Sequence, residues 1–134
     1  MGDADQRLFV YGTLMYPAVF HAVCGTALVG QVATLEGYAR RRVRDALYPA
    51  IVASPGARTT GLLVEGVDAR QWACLDAFEG ATYERRGVAV VRVADGVAIG
   101  AQTYVATLAA VPTLLDEIWS PPAFSAADLQ RYLT

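Results

Sequence analysis

The chain has 134 residues, a length suited to one domain built around a single sizeable core. Hydrophobic residues make up 54% and charged residues 18%, which argues against disorder. The formal net charge of −2 gives no general attraction for nucleic acid or an anionic membrane, since both call for a basic surface.

In chain order, the start from Met1 to Arg7 is polar and acidic, unlike a secretory signal, which points to the cytoplasm. Leu8-Phe9-Val10-Tyr11 reads as a buried first strand stopped by Gly12. Pro17 opens a helix through Cys24, and Gly25 caps it. The uncharged stretch from Leu8 to Leu35 is broken by Gly12, Pro17, His21, Gly25 and Gly30, so it is not a membrane span. An extended segment follows from about Val29 to Val43 and ends in Arg40-Arg41-Arg42, carried outward as a solvated edge. Pro49–Val52 and Gly61–Val67 read as two short strands separated by a turn at Ser54-Pro55-Gly56.

Asp68 with Gln71 three residues later forms a capping-box signature. The helix it opens is expected to reach Phe78 or Glu79 and stop at Gly80. Two valine-rich runs, Val88–Val93 and Val97–Val105, flank Ala94-Asp95-Gly96, a hairpin signal. Helices are expected over Leu114–Trp119 and Ser125–Tyr132. There is no internal repeat or linker, so residues 1–134 read as one α+β domain: a small mixed β-barrel with flanking helices.

Chemistry centres on the helix after Asp68. Trp72, Leu75 and Glu79 stand at i, i+3 and i+7, one stripe that turns Glu79 toward the core side. Burial disfavours its charged form, and so does the negative end of the helix dipole. Both push its pKa up, toward a range useful for proton exchange. The structural alternative is a helix that ends one residue early, leaving Glu79 in solvent. Asp76 is read as lying off the stripe, in water. At Tyr11-Gly12-Thr13-Leu14 the chain turns from strand to helix, Gly12 allows close approach, and successive amides form a nest for a carboxylate or oxyanion. An ordinary turn has the same sequence.

Other candidates carry less. His21 and Cys24 stand three residues apart on a helix, as a thiol hydrolase would need, but a packed thiol beside an exposed histidine is the commoner meaning. Cys24 and Cys74 are expected as two separate buried thiols. One histidine and no clustered ligands argue against a metal, and no cofactor is implied. Tyr48, Tyr83 and Arg85 are candidates for the pocket wall, with packing as the alternative for each.

Taken together, Phe9–Leu14, Tyr48-Pro49-Ala50-Ile51-Val52, Gly61 with Val64-Glu65-Gly66, and Leu75-Asp76-Ala77-Phe78-Glu79-Gly80 followed by Tyr83–Val88 resemble the gamma-glutamylcyclotransferase-like superfamily. The match is to the compact branch containing gamma-glutamylamine cyclotransferase and the plant avirulence-induced proteins, and it covers roughly residues 8 to 106. The resemblance implies a mixed barrel with packed helices, a loop at Tyr11 to Leu14 that holds the glutamyl portion of a small gamma-glutamyl substrate, and Glu79 as the catalytic glutamate. The implied reaction is attack of the substrate's α-amine on its own side-chain carbonyl, yielding 5-oxoproline and a free amine. A non-catalytic binding module and a gamma-glutamyl amidohydrolase are the alternatives. The segment after Val111, the leaving amine and the oligomeric state are left open by the sequence.

Overall fold

β1 (Leu8–Val10) is buried on both faces, which accounts for its unbroken apolar sequence. In the computed structural model, which describes residues 4–44 and 48–118, the strand separates two cores. Leu8 and Val10 belong to a core shared with the helices; Phe9, and Tyr11 just beyond the strand, belong to a second core with Leu35, Ile51, Leu63 and Val90. The alternation of side chains along a strand makes this division unavoidable.

β1 pairs antiparallel with β3 (Pro49–Val64) and parallel with β5 (Ala98–Ala106). β5 pairs with β4 (Tyr83–Arg92), β4 with β2 (Gln31–Val43), and β2 returns to β3, all antiparallel. These five strands close into a mixed barrel, which leaves no open edge in the ring. A sixth strand, β6 (Leu114–Ile118), pairs with the far half of β2.

Two helices pack against the outside of β1. α1 (Pro17–Cys24) starts with its proline in the first turn and ends at Gly25 with φ +76°. α2 (Ala69–Glu79) has the expected capping box: the Asp68 carboxylate accepts from the Gln71 amide at 2.8 Å, and the Gln71 side chain accepts from the Asp68 amide at 3.1 Å. Such a cap is worth about 1 kcal/mol. Val19 and Phe20 of α1 share a core with Trp72 and Leu75 of α2. Gln71 Nε2 also donates to the Cys24 carbonyl at 3.2 Å, and Trp72 Nε1 donates to the Asp5 carbonyl at 2.8 Å. No helix among the described residues is long and apolar enough to cross a membrane.

The β4–β5 hairpin forms as expected around Asp95-Gly96, where Arg92 Nη2 lies 2.7 Å from the Asp95 carboxylate. Several other expectations need correction. The two strands expected at Pro49–Val52 and Gly61–Val67 are parts of one, β3, which ends at Val64. Ser54 to Ala57 do not turn the chain back but form a bulge opposite Gly37, with Gly37 and Gly56 both at φ +86°. The bulge absorbs extra residues while β2 and β3 stay paired on either side. The helix expected from Leu114 is instead β6, because the far half of β2, beyond its pairing with β4, supplies hydrogen-bonding partners that a short, weakly periodic segment takes up. Trp119 and the helix expected over Ser125–Tyr132 lie outside the described residues. Both cysteines are free thiols, but Cys24 is only half-buried and Cys74 is exposed.

Candidate functional site

At one end of the barrel a cavity of about 100 Å³ opens where the exit of β1, the starts of β3 and β4 and the end of α2 meet. That is room for several water molecules, or a small organic group. One wall is the turn after β1. Thr13–Met15 make a single 3₁₀ turn, with the Met15 amide donating to the Gly12 carbonyl and the Tyr16 amide to the Thr13 carbonyl, both at 3.0 Å. A Cβ on Gly12 would stand 2.8 Å from Pro49 Cγ, so the glycine is required first by the proline ring, not by a ligand.

Arg40 of β2 holds this turn in place. Its Nη1 donates to the Tyr11 carbonyl at 2.7 Å and the Thr60 carbonyl at 3.1 Å. Arg40 is therefore no outward, solvated residue as the arginine run suggested: alternation along β2 turns it toward the protein, and burial lowers its pKa. The Tyr11 hydroxyl donates to the Tyr104 carbonyl at 2.6 Å. Burial, then the nearby Glu79, raise its pKa well above the usual phenol value, so it stays protonated.

The opposite wall is aromatic. The Tyr83 hydroxyl donates to the Pro49 carbonyl at 2.5 Å, the Tyr48 ring lies 6.1 Å from that of Tyr83, and Phe78 completes the surface. Glu79, the last residue of α2, also lines the cavity. It is only partly buried because it opens on that space. Its carboxyl is nevertheless pushed up to about 8, by burial first and by Asp76 second. At neutral pH such a group is mostly protonated and has a readily formed ionised fraction.

The cavity thus brings together Tyr11, Gly12, Thr13, Leu14, Tyr48, Glu79 and Tyr83. Arg85 is not among its lining residues: its guanidinium lies 4.4 Å over the Trp72 ring, with Nη2 3.5 Å from Asp76. On β4 the neighbours Tyr83 and Arg85 share a side, but the strand twists and the longer side chain finds the helix instead. Asp76 keeps the exposed position expected of it but makes specific contacts there. The Tyr104 hydroxyl donates to its carboxylate at 2.6 Å. Asp76 stands four residues after Trp72 and three before Glu79, so the same stripe that carries Glu79 takes it in. That spacing was the available signal for Asp76. Tyr104 gave none beyond its place in an apolar strand, and its contact with Asp76 comes from the pairing of β4 and β5.

His21 is exposed, and the Cys24 thiol is pushed up to about 11 by burial first, the opposite of an activated nucleophile. Among the described residues no three His, Cys, Asp or Glu side chains are grouped as a metal ion would require.

The chain has relatives in sequence and in fold. Residues 8–121 match the gamma-glutamyl cyclotransferase, AIG2-like family. Protein AIG2 C of Arabidopsis thaliana is 34% identical over 101 residues, which cover 75% of this chain and 61% of that protein's length. AIG2-like protein A of the same plant is 34% identical over 112 residues, 84% of this chain and 68% of the relative. An A. thaliana protein whose structure was determined in solution superposes with a TM-score of 0.76 at 30% identity, over 96% of this chain and 85% of that one. A gamma-glutamyl cyclotransferase at 20% identity shares the fold, with a TM-score of 0.68 over 76% of this chain and 66% of the other. From the family match over most of its length, the chain belongs to the gamma-glutamyl cyclotransferase, AIG2-like family.

Proposed function

We propose that the protein cyclises a gamma-glutamyl amine or amide to 5-oxoproline and releases the free amine, with Glu79 as general base and then general acid. The observation that carries this reading is the Glu79 carboxyl, pushed up to about 8 and opening on a small cavity whose facing wall is the Tyr11–Leu14 turn. In the proposed reaction the α-amine nitrogen of the glutamyl group bonds to its own side-chain carbonyl carbon, and the C–N bond to the leaving amine breaks. Glu79 accepts the proton lost by the attacking nitrogen and returns it to the departing one, so no water is consumed. The nucleophile belongs to the substrate, so no serine or thiol is needed from the protein. The cavity's contribution is to fold the glutamyl chain into attack geometry. Amides of Thr13 and Leu14 are suited to an α-carboxylate or a developing oxyanion.

Incubation with a panel of gamma-glutamyl amines and peptides, followed by mass spectrometry, tests the reading. The expected products are 5-oxoproline and the free amine. Free glutamate would make the protein an amidohydrolase, and no turnover across the panel would leave a binding module.

A further inference from the structure

The proposed chemistry uses Glu79 but leaves Asp76 unexplained. Two acidic residues three positions apart on one helix face repel each other, and such a pair weakens a helix. The Asp76 carboxylate is nonetheless fixed from two sides. The Tyr104 hydroxyl of β5 donates to Oδ1 at 2.6 Å, and Arg85 Nη2 of β4 stands 3.5 Å from Oδ2. Arg85 is in turn positioned over the Trp72 ring at 4.4 Å, and Trp72 is held by its bond to the Asp5 carbonyl. These two contacts from neighbouring strands hold the exposed carboxylate on the face of α2 that carries Glu79.

We propose that Asp76 is a positioning residue: fixed by Tyr104 and Arg85 one helical turn before Glu79, its negative charge keeps a proton on Glu79 in the resting enzyme. This rests on the proposed role of Glu79. Among the described residues, Asp76 is the anion that acts on Glu79. β1 contributes Tyr11, β4 Tyr83 and β5 Tyr104, and Tyr48 precedes β3; all four are phenols. Arg40 of β2 is directed to the Tyr11 and Thr60 carbonyls, and Arg85 of β4 to Asp76 and Trp72. The second-largest cause of the raised Glu79 pKa is Asp76, after burial. The Tyr104 phenol is raised as well, by burial first and then by its bond to Asp76. Asp76 would thereby set the pH at which Glu79 becomes a base, without touching substrate.

The test is carboxyl NMR titration of Glu79 in protein labelled with ¹³C-glutamate, its resonance assigned by its absence from Glu79→Gln. Asp76→Asn keeps an acceptor for the Tyr104 hydroxyl and removes only the charge. Its Glu79 midpoint should fall on the order of one pH unit, as for a charge about 6 Å away in surface-like surroundings. The acid limb of kcat/KM should follow it. Asp76→Glu, which restores the charge, should return both toward the wild-type values. An unchanged Glu79 midpoint in folded Asp76→Asn would leave Asp76 as a tether between α2 and β5 and overturn the proposal. If that variant does not fold, Arg85→Gln decides: removing the cation that offsets Asp76 should raise the midpoint, and an unchanged value overturns the proposal. Should no gamma-glutamyl compound be turned over, the cyclisation reading fails, while the NMR midpoint still decides the role of Asp76.

Discussion

Glu79→Gln makes two demands of opposite sign. The amide keeps the size and hydrogen-bonding capacity of the acid but cannot exchange a proton. Turnover should fall about 10²–10⁴-fold, the usual cost of a lost general acid or base. Stability should move the other way. Because the Glu79 pKa is raised in the folded state, the native protein holds this proton more tightly than the unfolded chain does. That contribution is complete below an ordinary value of 4.5 and is lost as pH rises through about 8. At 1.36 kcal/mol per pH unit, the span from 4.5 to about 8 sets a ceiling of about 5 kcal/mol. Glu79 opens on a solvent-reachable cavity, which reduces the effect to about 2 kcal/mol. Gln carries no such pH-dependent loss. Thermal melts of both proteins at pH 5 and pH 8.5 should therefore show the Gln variant gaining about 2 kcal/mol on wild type between the two conditions, or roughly 7 °C for a chain of this length. Wild-type kcat/KM should rise with pH through about 8 as the base form appears. A melting difference that stays constant from pH 5 to pH 8.5 would refute the desolvated placement of Glu79. Wild-type turnover in folded Glu79→Gln would remove the residue from the mechanism.

Gly12→Ala would bring a Cβ within 2.8 Å of Pro49 Cγ, so the turn or the start of β3 must shift. Denaturant unfolding should show a loss of about 1–3 kcal/mol, and turnover should drop with it; wild-type stability would refute the close approach. The double replacement Cys24→Ser with Cys74→Ser should leave turnover intact, because a thiol pushed up to about 11 supplies almost no thiolate near neutrality. Loss of turnover in that folded variant would restore a thiol mechanism.

What the sequence conveyed, and what it withheld, follows the range of the forces involved. The bounds of α1 and α2 were legible because caps are local: Pro17, Gly25, the Asp68–Gln71 box and Gly80 each act within a few residues. The Asp95-Gly96 hairpin was legible for the same reason. β6 and the continuity of β3 were not, since both depend on what β2 offers as a partner across long separations. In the site, Glu79 could be placed because helical periodicity carries a side chain from Trp72 to the cavity. Asp76 is exposed as expected, and only its spacing from Trp72 hinted at the contact with Tyr104. The burial of Arg40 was hidden because a run of arginines gives no sign of which one the strand turns inward. Arg85 was lost to the cavity through an aromatic contact with Trp72 on another element.

The raised pKa of Glu79 also bears on why such a residue suits catalysis better than binding. A module that only retained an anionic glutamyl group would gain nothing from a carboxyl facing its pocket. On the proposed reading the empty site holds Glu79 mostly protonated, so the cavity presents no second negative charge to the incoming α-carboxylate. Once bound, the substrate's α-ammonium group lies beside Glu79 and favours its ionised form. On the same reading the occupied site lets Glu79 release its proton to solvent, which leaves a carboxylate just where an ammonium must lose a proton. Transfer of an ammonium proton to Glu79 frees the nucleophile, the resulting carboxylic acid protonates the leaving nitrogen, and the regenerated carboxylate takes the remaining extra proton from the ring nitrogen. The tyrosines around it, with their hydroxyls already committed to the Tyr104 and Pro49 carbonyls and to Asp76, keep the surroundings fixed while the charge on Glu79 changes.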